Sequence, residues 1–133
     1  KRIEGLEAFA RHQLGLARRQ PDGRPLREHL EALARQTGAT PAQLDPPELP
    51  AAVGHLWDWF CELNAARGGT GFGPAPVGHV EIEAWARLTG RGPSPWEVAA
   101  LRGLDRIALE IAAEAVAARG PSKVATPRRV LRD

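Results

Sequence analysis

The amino-acid sequence predicts an all-α fold of about five helices: an N-terminal helical hairpin, a three-helix body and a flexible, basic C-terminal tail. Apolar residues recur at spacings of three and four along five segments. Most of the 12 prolines and 14 glycines lie between those segments rather than inside them. Tyrosine is absent, and valine, isoleucine and threonine form no alternating run, so strands have little to be built from. A length of 133 residues fits one domain, which we expect over residues 1–120.

The first two helices are predicted within residues 1–38. An apolar stripe of small and large side chains marks the first helix, over about residues 1–19: Ile3, Leu6, Ala10, Leu14 and Ala17. A Pro-Asp-Gly turn follows, and Pro25 opens the second helix because its missing N–H would be unpaired in a first turn anyway. Gly38 ends that helix, so the two helices form a hairpin.

A proline-rich linker over residues 38–50 leads to the main body, residues 50–120. One helical turn is expected inside the linker, where Thr40-Pro41-Ala42-Gln43 resembles a capping box. The body holds a third helix over about residues 50–67, a fourth over 79–89 and a long fifth that begins after Ser94. Ser94, Pro95 and Glu97 form the strongest local signal, a capping box with proline at the first helical position. Gly120-Pro121 ends the fifth helix.

The third helix carries two tryptophans beside its buried stripe. On a helical wheel Val53, Leu56, Phe60 and Leu63 share one face, and Trp57 and Trp59 flank that face on opposite sides. Both indoles are therefore expected to border the core and pack against two different neighbours. The alternative leaves one indole partly exposed as an anchor for a partner helix, and Trp57 is the one we expect there.

The glycine- and proline-rich loop after the third helix places Phe72 between glycines, with Pro74 and Pro76 limiting the freedom of the chain. An exposed Phe72 would insert into a hydrophobic partner. The other interpretation, which we favour, folds Phe72 back onto Trp85 or Trp96. The candidate partner-binding residues are the aromatic ones: Trp57, Trp59, Phe72, Trp85 and Trp96.

Signals for catalysis, a cofactor or a metal are absent from the sequence, so an enzyme is not expected. The single cysteine, Cys61, excludes an internal disulfide and lacks a histidine on its own helical face. His55, Asp58 and Glu62 share the far face of the third helix, but one helix rarely completes a metal site, and a solvated polar face is the expected explanation. The glycine loop follows a helix and holds no Gly-Lys-Ser/Thr, which excludes a phosphate loop.

The net charge of +2 is unevenly distributed. Residues 119–133 hold five basic residues and one acidic residue, so the rest of the chain carries −2. The segment 121–133 is predicted to be a disordered basic tail whose Lys123, Arg128, Arg129 and Arg132 could touch nucleic acid weakly. No membrane span or secretory signal is visible, and a single cysteine suits a reducing compartment, so we expect a cytoplasmic protein.

Several stretches resemble a family of small proteins encoded among the tail genes of tailed bacteriophages and prophages, near the tape-measure gene, and described as tail assembly chaperones. The likeness covers residues 26–105 in order and spacing. It is carried by "LWDWFCEL", "GFGPAP", "EIEAWARLTG" and "PWEVAALRGLD", and more weakly by "LREHLEALARQTG". The resemblance implies a helical protein that binds the tape-measure protein in the bacterial host cytoplasm until the tail tube polymerises around it. It assigns no binding residues.

Three other functions remain open at this stage. One is a structural component that stays in the tail or neck of the virion, and another is a small nucleic-acid-binding adaptor using the basic tail. An enzyme is the least supported. A homo-oligomer is compatible with each of them.

Overall fold

The computed structural model describes residues 2–118, which form five α-helices. Their bounds are α1 Arg2–Ala17, α2 Leu26–Thr37, α3 Gly54–Ala65, α4 His79–Thr89 and α5 Pro95–Ala118. Two short 3₁₀ turns, Ala42–Leu44 and Ala51–Val53, lie in the segment between α2 and α3. Within residues 2–118 there is no strand, only two isolated β-bridges. The predicted all-α class with five helices is confirmed, whereas the predicted tail, residues 121–133, lies outside the described residues.

The core is organised around α3. The predicted stripe is confirmed, since Val53, Leu56, Phe60 and Leu63 are each at most 5% exposed. The other members of the core come from α1, α4, α5 and the loop before α4: Leu6, Ala10, Val77, Ile82, Ala100, Leu101 and Leu104. Four of the five helices therefore share one core, which fixes the relative positions of the surfaces described below.

Helix α1 packs against both α2 and α5. It forms the predicted hairpin with α2, where the Arg27 guanidinium donates to the Gln13 side chain over 3.1 Å. It also runs beside α5, where Arg11 pairs with Glu110 over 3.2 Å. The hairpin is thus joined to the three-helix body through α1 as well as through the linker.

The start of α3 differs from the prediction. A helix was expected from residue 50, but a 3₁₀ turn comes first and the α-helix begins at Gly54. Pro50 presses against Gly5 of α1, where a Cβ atom would lie only 2.7 Å from the proline Cγ. This contact holds the chain against α1, and the Val53 amide closes a tight turn onto the Pro50 carbonyl.

The linker contains the single turn that the sequence predicts, as a 3₁₀ turn at Ala42–Leu44. It is tied to α1, because His12 Nε2 lies 2.7 Å from the Gln43 carbonyl oxygen.

The capping box at the start of α5 is also present: the Glu97 carboxylate accepts a hydrogen bond of 2.9 Å from the Ser94 amide. No helix within residues 2–118 is long and apolar enough to span a membrane.

Candidate functional site

The two tryptophans of α3 pack against different neighbours, as predicted. Trp57 meets Phe9 of α1 edge to face at 5.4 Å between ring centroids, and it also lies 5.9 Å from Phe60. Trp59, on the other side, meets Trp85 of α4 at 5.6 Å. Both indoles are partly buried against the core. The alternative, in which a partly exposed Trp57 anchors a partner helix, stays a prediction: its ring is only partly buried, and it also joins α3 to α1.

A polar network surrounds the Trp59–Trp85 contact. The Trp85 indole N–H donates to Glu62 over 2.9 Å, and Arg91 donates to the other oxygen of the same carboxylate over 2.8 Å. The Arg91 guanidinium carbon also lies 5.9 Å from the Trp59 ring centroid, a cation–π distance. Glu62 lies on a solvated face, as predicted, with its side chain 41% exposed, and it also connects α3 to α4 and to the segment after α4.

His55 connects α3 to the first turn of α5. Its Nε2 lies 2.6 Å from a carboxylate oxygen of Glu97, and its ring meets Trp59 edge to face at 4.9 Å. The Ser94 amide, and then His55, hold the pKa of Glu97 below its usual value because both stabilise the ionised carboxylate. His55, whose side chain is 38% exposed, therefore also supports a helix cap.

A buried ion pair lies beneath the loop that joins α3 to α4, residues 66–78, which we call the connecting loop. Arg67 Nη1 is 2.6 Å from Asp105 Oδ1, and the two side chains are only 9% and 7% exposed. The same Arg67 nitrogen donates to the Ala75 carbonyl over 2.8 Å. Asp105 accepts a hydrogen bond of 3.1 Å from the Val77 amide. The pair thus ties both ends of the connecting loop to α5.

This pair is not predicted from the sequence, where Arg67 only ends the third helix and Asp105 only falls within the fifth. The one available signal was the position of Asp105 directly after Leu104, next to the apolar stripe of α5. An acid so close to a buried stripe indicates a partner, but the sequence does not say which of the chain's basic residues that partner is.

The middle of the connecting loop is a small hairpin with Phe72 at its tip. The Thr70 amide donates to the Gly73 carbonyl and the Ala75 amide to the Gly68 carbonyl, each over 2.9 Å. Gly71 has φ of +91°, a value that glycine adopts without strain. Phe72 is 100% exposed. The favoured expectation that Phe72 folds back onto Trp85 or Trp96 is therefore wrong, because the hairpin's own hydrogen bonds hold its tip out in solvent.

An apolar groove of about 450 Å³ runs between the connecting loop and α4, and we call it the α4 groove. Its α4 side is formed by Glu81, Ala84, Trp85 and Leu88, which follow the spacing of one helical face. Thr89 of α4 also lines the groove. The rest of the lining comes from the end of α3 and the connecting loop: Leu63, Ala66, Arg67, Gly68, Ala75, Pro76 and Val77. Leu88 is 76% exposed at the rim. Helix α4 therefore has two apolar faces, one in the core through Ile82 and one open to solvent.

The structure brings together only some of the predicted binding residues. Trp85 lines the α4 groove, Trp59 contacts Trp85, and the Phe72 hairpin belongs to the loop that forms the opposite wall. Trp96 lies elsewhere, beside Ile3 and Val53, and at 52% exposure it is the exposed indole of the described chain. Trp57 faces α1, away from the groove.

Other reactive groups do not converge on this site. Burial and the charge of Asp58 raise the pKa of the Cys61 thiol, which disfavours the nucleophilic thiolate. Within residues 2–118 no group of three or more histidine, cysteine or acidic side chains is close enough to hold a metal ion.

The fold and the groove define an all-helical protein with an apolar helix face that the rest of residues 2–118 leaves open. A comparison with protein families agrees with the resemblance noted in the sequence: residues 33–110 match the family described as phage tail assembly chaperone. The match covers more than half of the chain, which therefore belongs to that family. A chaperone family indicates a non-enzymatic role and partners among phage tail proteins. No curated protein and no solved structure matched the chain.

Proposed function

We propose that the chain binds an amphipathic helical segment of the tape-measure protein in the α4 groove and shields it in the host cytoplasm during tail assembly. The observation that carries the proposal is the exposed second apolar face of α4, which stands open in a chain of the tail assembly chaperone family. Apolar faces of this kind are the sites at which helices dock into grooves. Leu88 is exposed to water in the unbound chain, and burial of its side chain by a partner would be favourable.

The lining of the groove indicates which segment would fit. Ala66, Ala75 and Ala84 present small side chains, which allow a helix backbone to approach closely. Arg67 is already neutralised by Asp105, whereas Glu81 accepts a hydrogen bond from the Gly78 amide but has no ion-pair partner among residues 2–118. A helix with an apolar ridge and a lysine or arginine beside it would therefore match the groove in shape and charge.

Co-expression with the tape-measure protein encoded nearby, followed by affinity capture of this chain, tests the proposal. The informative variant is Leu88→Glu, which puts a charge at the groove rim. Its matched control is Val80→Glu, on the same helix and 74% exposed but outside the groove lining. We expect Leu88→Glu to lose capture by tenfold or more, an effect of one buried apolar side chain and one misplaced charge, and Val80→Glu to retain it. Equal capture by both variants would refute the groove as the site.

A structural component of the virion is the second candidate function, and it makes a different prediction for mature particles. Because a chaperone leaves when the tube closes around the tape-measure protein, mass spectrometry of purified virions should not find the chain. Stoichiometric retention in virions would favour the structural role. The aromatic residues outside the groove, Trp57 and Trp96, remain candidate contacts in either case, and Trp57→Ala and Trp96→Ala in the same capture assay test them.

A further inference from the structure

We propose that the buried Arg67–Asp105 pair is a positioning device that holds the connecting loop ready for the partner. This inference rests on the proposed function, since it assigns a role in partner binding to a pair whose side chains are only 9% and 7% exposed. It is carried by the direction of the polar contacts. Each member of the pair makes a hydrogen bond to the backbone of the loop: Arg67 donates to the Ala75 carbonyl, and Asp105 accepts from the Val77 amide.

The pair lies next to both parts of the proposed binding surface, the loop wall of the α4 groove and the hairpin that carries Phe72. The Arg67 Nε atom donates to Asn64 over 2.9 Å, so the guanidinium is fixed to the last turn of α3. Asp105 is on α5, in the core. Between these anchors stand the loop wall of the α4 groove and the hairpin that carries Phe72. Loss of the pair would release the wall and the hairpin together.

An ion pair is a poor choice if stability alone is required. Buried ion pairs are often replaced by apolar side chains of similar volume without loss of stability, because the attraction barely offsets the cost of desolvating two charges. What apolar side chains cannot supply is a hydrogen bond to a loop amide or carbonyl. A loop of glycines and prolines has few side chains of its own to pack, so backbone hydrogen bonds are its main restraint.

Holding the loop before the partner arrives would raise affinity. Phe72 is fully exposed and therefore gains no packing from the rest of residues 2–118. If the hairpin were free to move, binding would have to order it, and that entropy would oppose association. A fixed hairpin removes this cost in advance. We therefore expect the pair to act on affinity mainly through order in the loop, rather than through the small part of Arg67 that lines the groove.

The test replaces the pair by apolar side chains in the double variant Arg67→Met/Asp105→Leu. The matched control makes the same chemical changes at another ion pair, Arg11→Met/Glu110→Leu, which is 3.2 Å long and joins α1 to α5 on the surface. Three quantities are compared in the full chain: the thermal unfolding midpoint, amide hydrogen exchange, and affinity for the co-expressed tape-measure protein.

In Arg67→Met/Asp105→Leu we expect the unfolding midpoint to stay within about 5 °C of the wild type. Exchange of the Thr70 and Ala75 amides should accelerate on the order of tenfold or more, although the pair bonds neither amide directly. Affinity should fall on the order of tenfold, as the loop must be ordered on binding. The Arg11→Met/Glu110→Leu control should keep slow loop exchange and wild-type affinity.

The possible failures are distinguishable. If the Arg67→Met/Asp105→Leu variant exchanges its loop amides slowly or binds as the wild type does, the positioning role is wrong while the proposed function stands. If the wild-type chain captures no tape-measure protein, the proposed function and the inference that rests on it both fall. If the double variant unfolds, Asp105→Asn is measured instead, because asparagine keeps an acceptor for the Val77 amide. Its loop amides should exchange faster than in the wild type and its affinity should be lower, both by less than is expected for the double variant.

Discussion

Two ion pairs lie on either side of α4's open face, and they differ mainly in burial. The Arg67–Asp105 pair has side chains that are 9% and 7% exposed, whereas Glu62 and Arg91 are 41% and 39% exposed. Glu62 belongs to α3, whereas Arg67 lies two residues after its end and donates to Asn64 in its last turn. The buried pair is fixed to loop backbone, while the exposed pair surrounds an aromatic contact in water. The same kind of ion pair therefore fixes a loop where it is buried and only borders an aromatic contact where it is exposed.

Removing one member of the buried pair should produce the largest effect. Asp105→Ala leaves the Arg67 guanidinium buried without its counter-charge, which typically costs about 3–5 kcal/mol. Urea unfolding followed by circular dichroism measures the free energy of unfolding directly. A loss below about 1 kcal/mol would mean that water reaches Arg67 freely, and the contrast with the exposed pair would disappear.

An intermediate effect is expected at Glu97, whose side chain is 15% exposed and is bonded to Ser94 and His55. Glu97→Gln should lower the free energy of unfolding by about 1 kcal/mol at pH 7, the difference between a charged and a neutral acceptor. Because the pKa of Glu97 is lowered from its ordinary value of 4.5, its stabilisation is present above pH 4.5 and is lost as pH falls through the folded-state pKa.

The measurement at Glu97 is therefore a pair of unfolding curves, for the wild type and for Glu97→Gln, at pH 7 and at pH 3. The gap between the two proteins should narrow as the pH falls. A gap of the same size at pH 3 would show that the carboxylate's charge does not stabilise the cap, and only the shape of the side chain would matter.

The smallest effect belongs to the exposed pair. Arg91→Met should change the free energy of unfolding by less than about 1 kcal/mol, since exposed pairs are screened by water and cost side-chain entropy. That small effect should shrink further in 1 M salt. Thermal unfolding at low and high salt checks it. If Arg91→Met were as damaging as Asp105→Ala, burial would not be what separates the two pairs.

The sequence was sufficient for the helices and for much of the core. Apolar spacing and capping are local signals, and they predicted α3's buried stripe and the Ser94–Glu97 cap. The wheel also placed Trp57 and Trp59 on opposite sides of that stripe, as the contacts with Phe9 and Trp85 confirm.

The site was less accessible to sequence reasoning, for physical reasons. Arg67 and Asp105 are 38 positions apart, and no local rule selects which arginine meets a buried acid. The orientation of Phe72 depends on hairpin hydrogen bonds within a glycine-rich segment, where many backbone conformations are allowed. The α4 groove exists only because the connecting loop is held beside α4. Each of these features is a product of tertiary contacts.

The most direct measurement of the central claim is site-specific crosslinking in cells that co-express the tape-measure protein. A photoreactive amino acid replaces Leu88 in one strain and Val80 in another, since both are about equally exposed on α4. If the partner binds in the α4 groove, we expect a crosslink from position 88 to an amphipathic helical segment of the tape-measure protein, and little crosslinking from position 80. No crosslink from position 88, or equal yields from both positions, would contradict binding in the α4 groove.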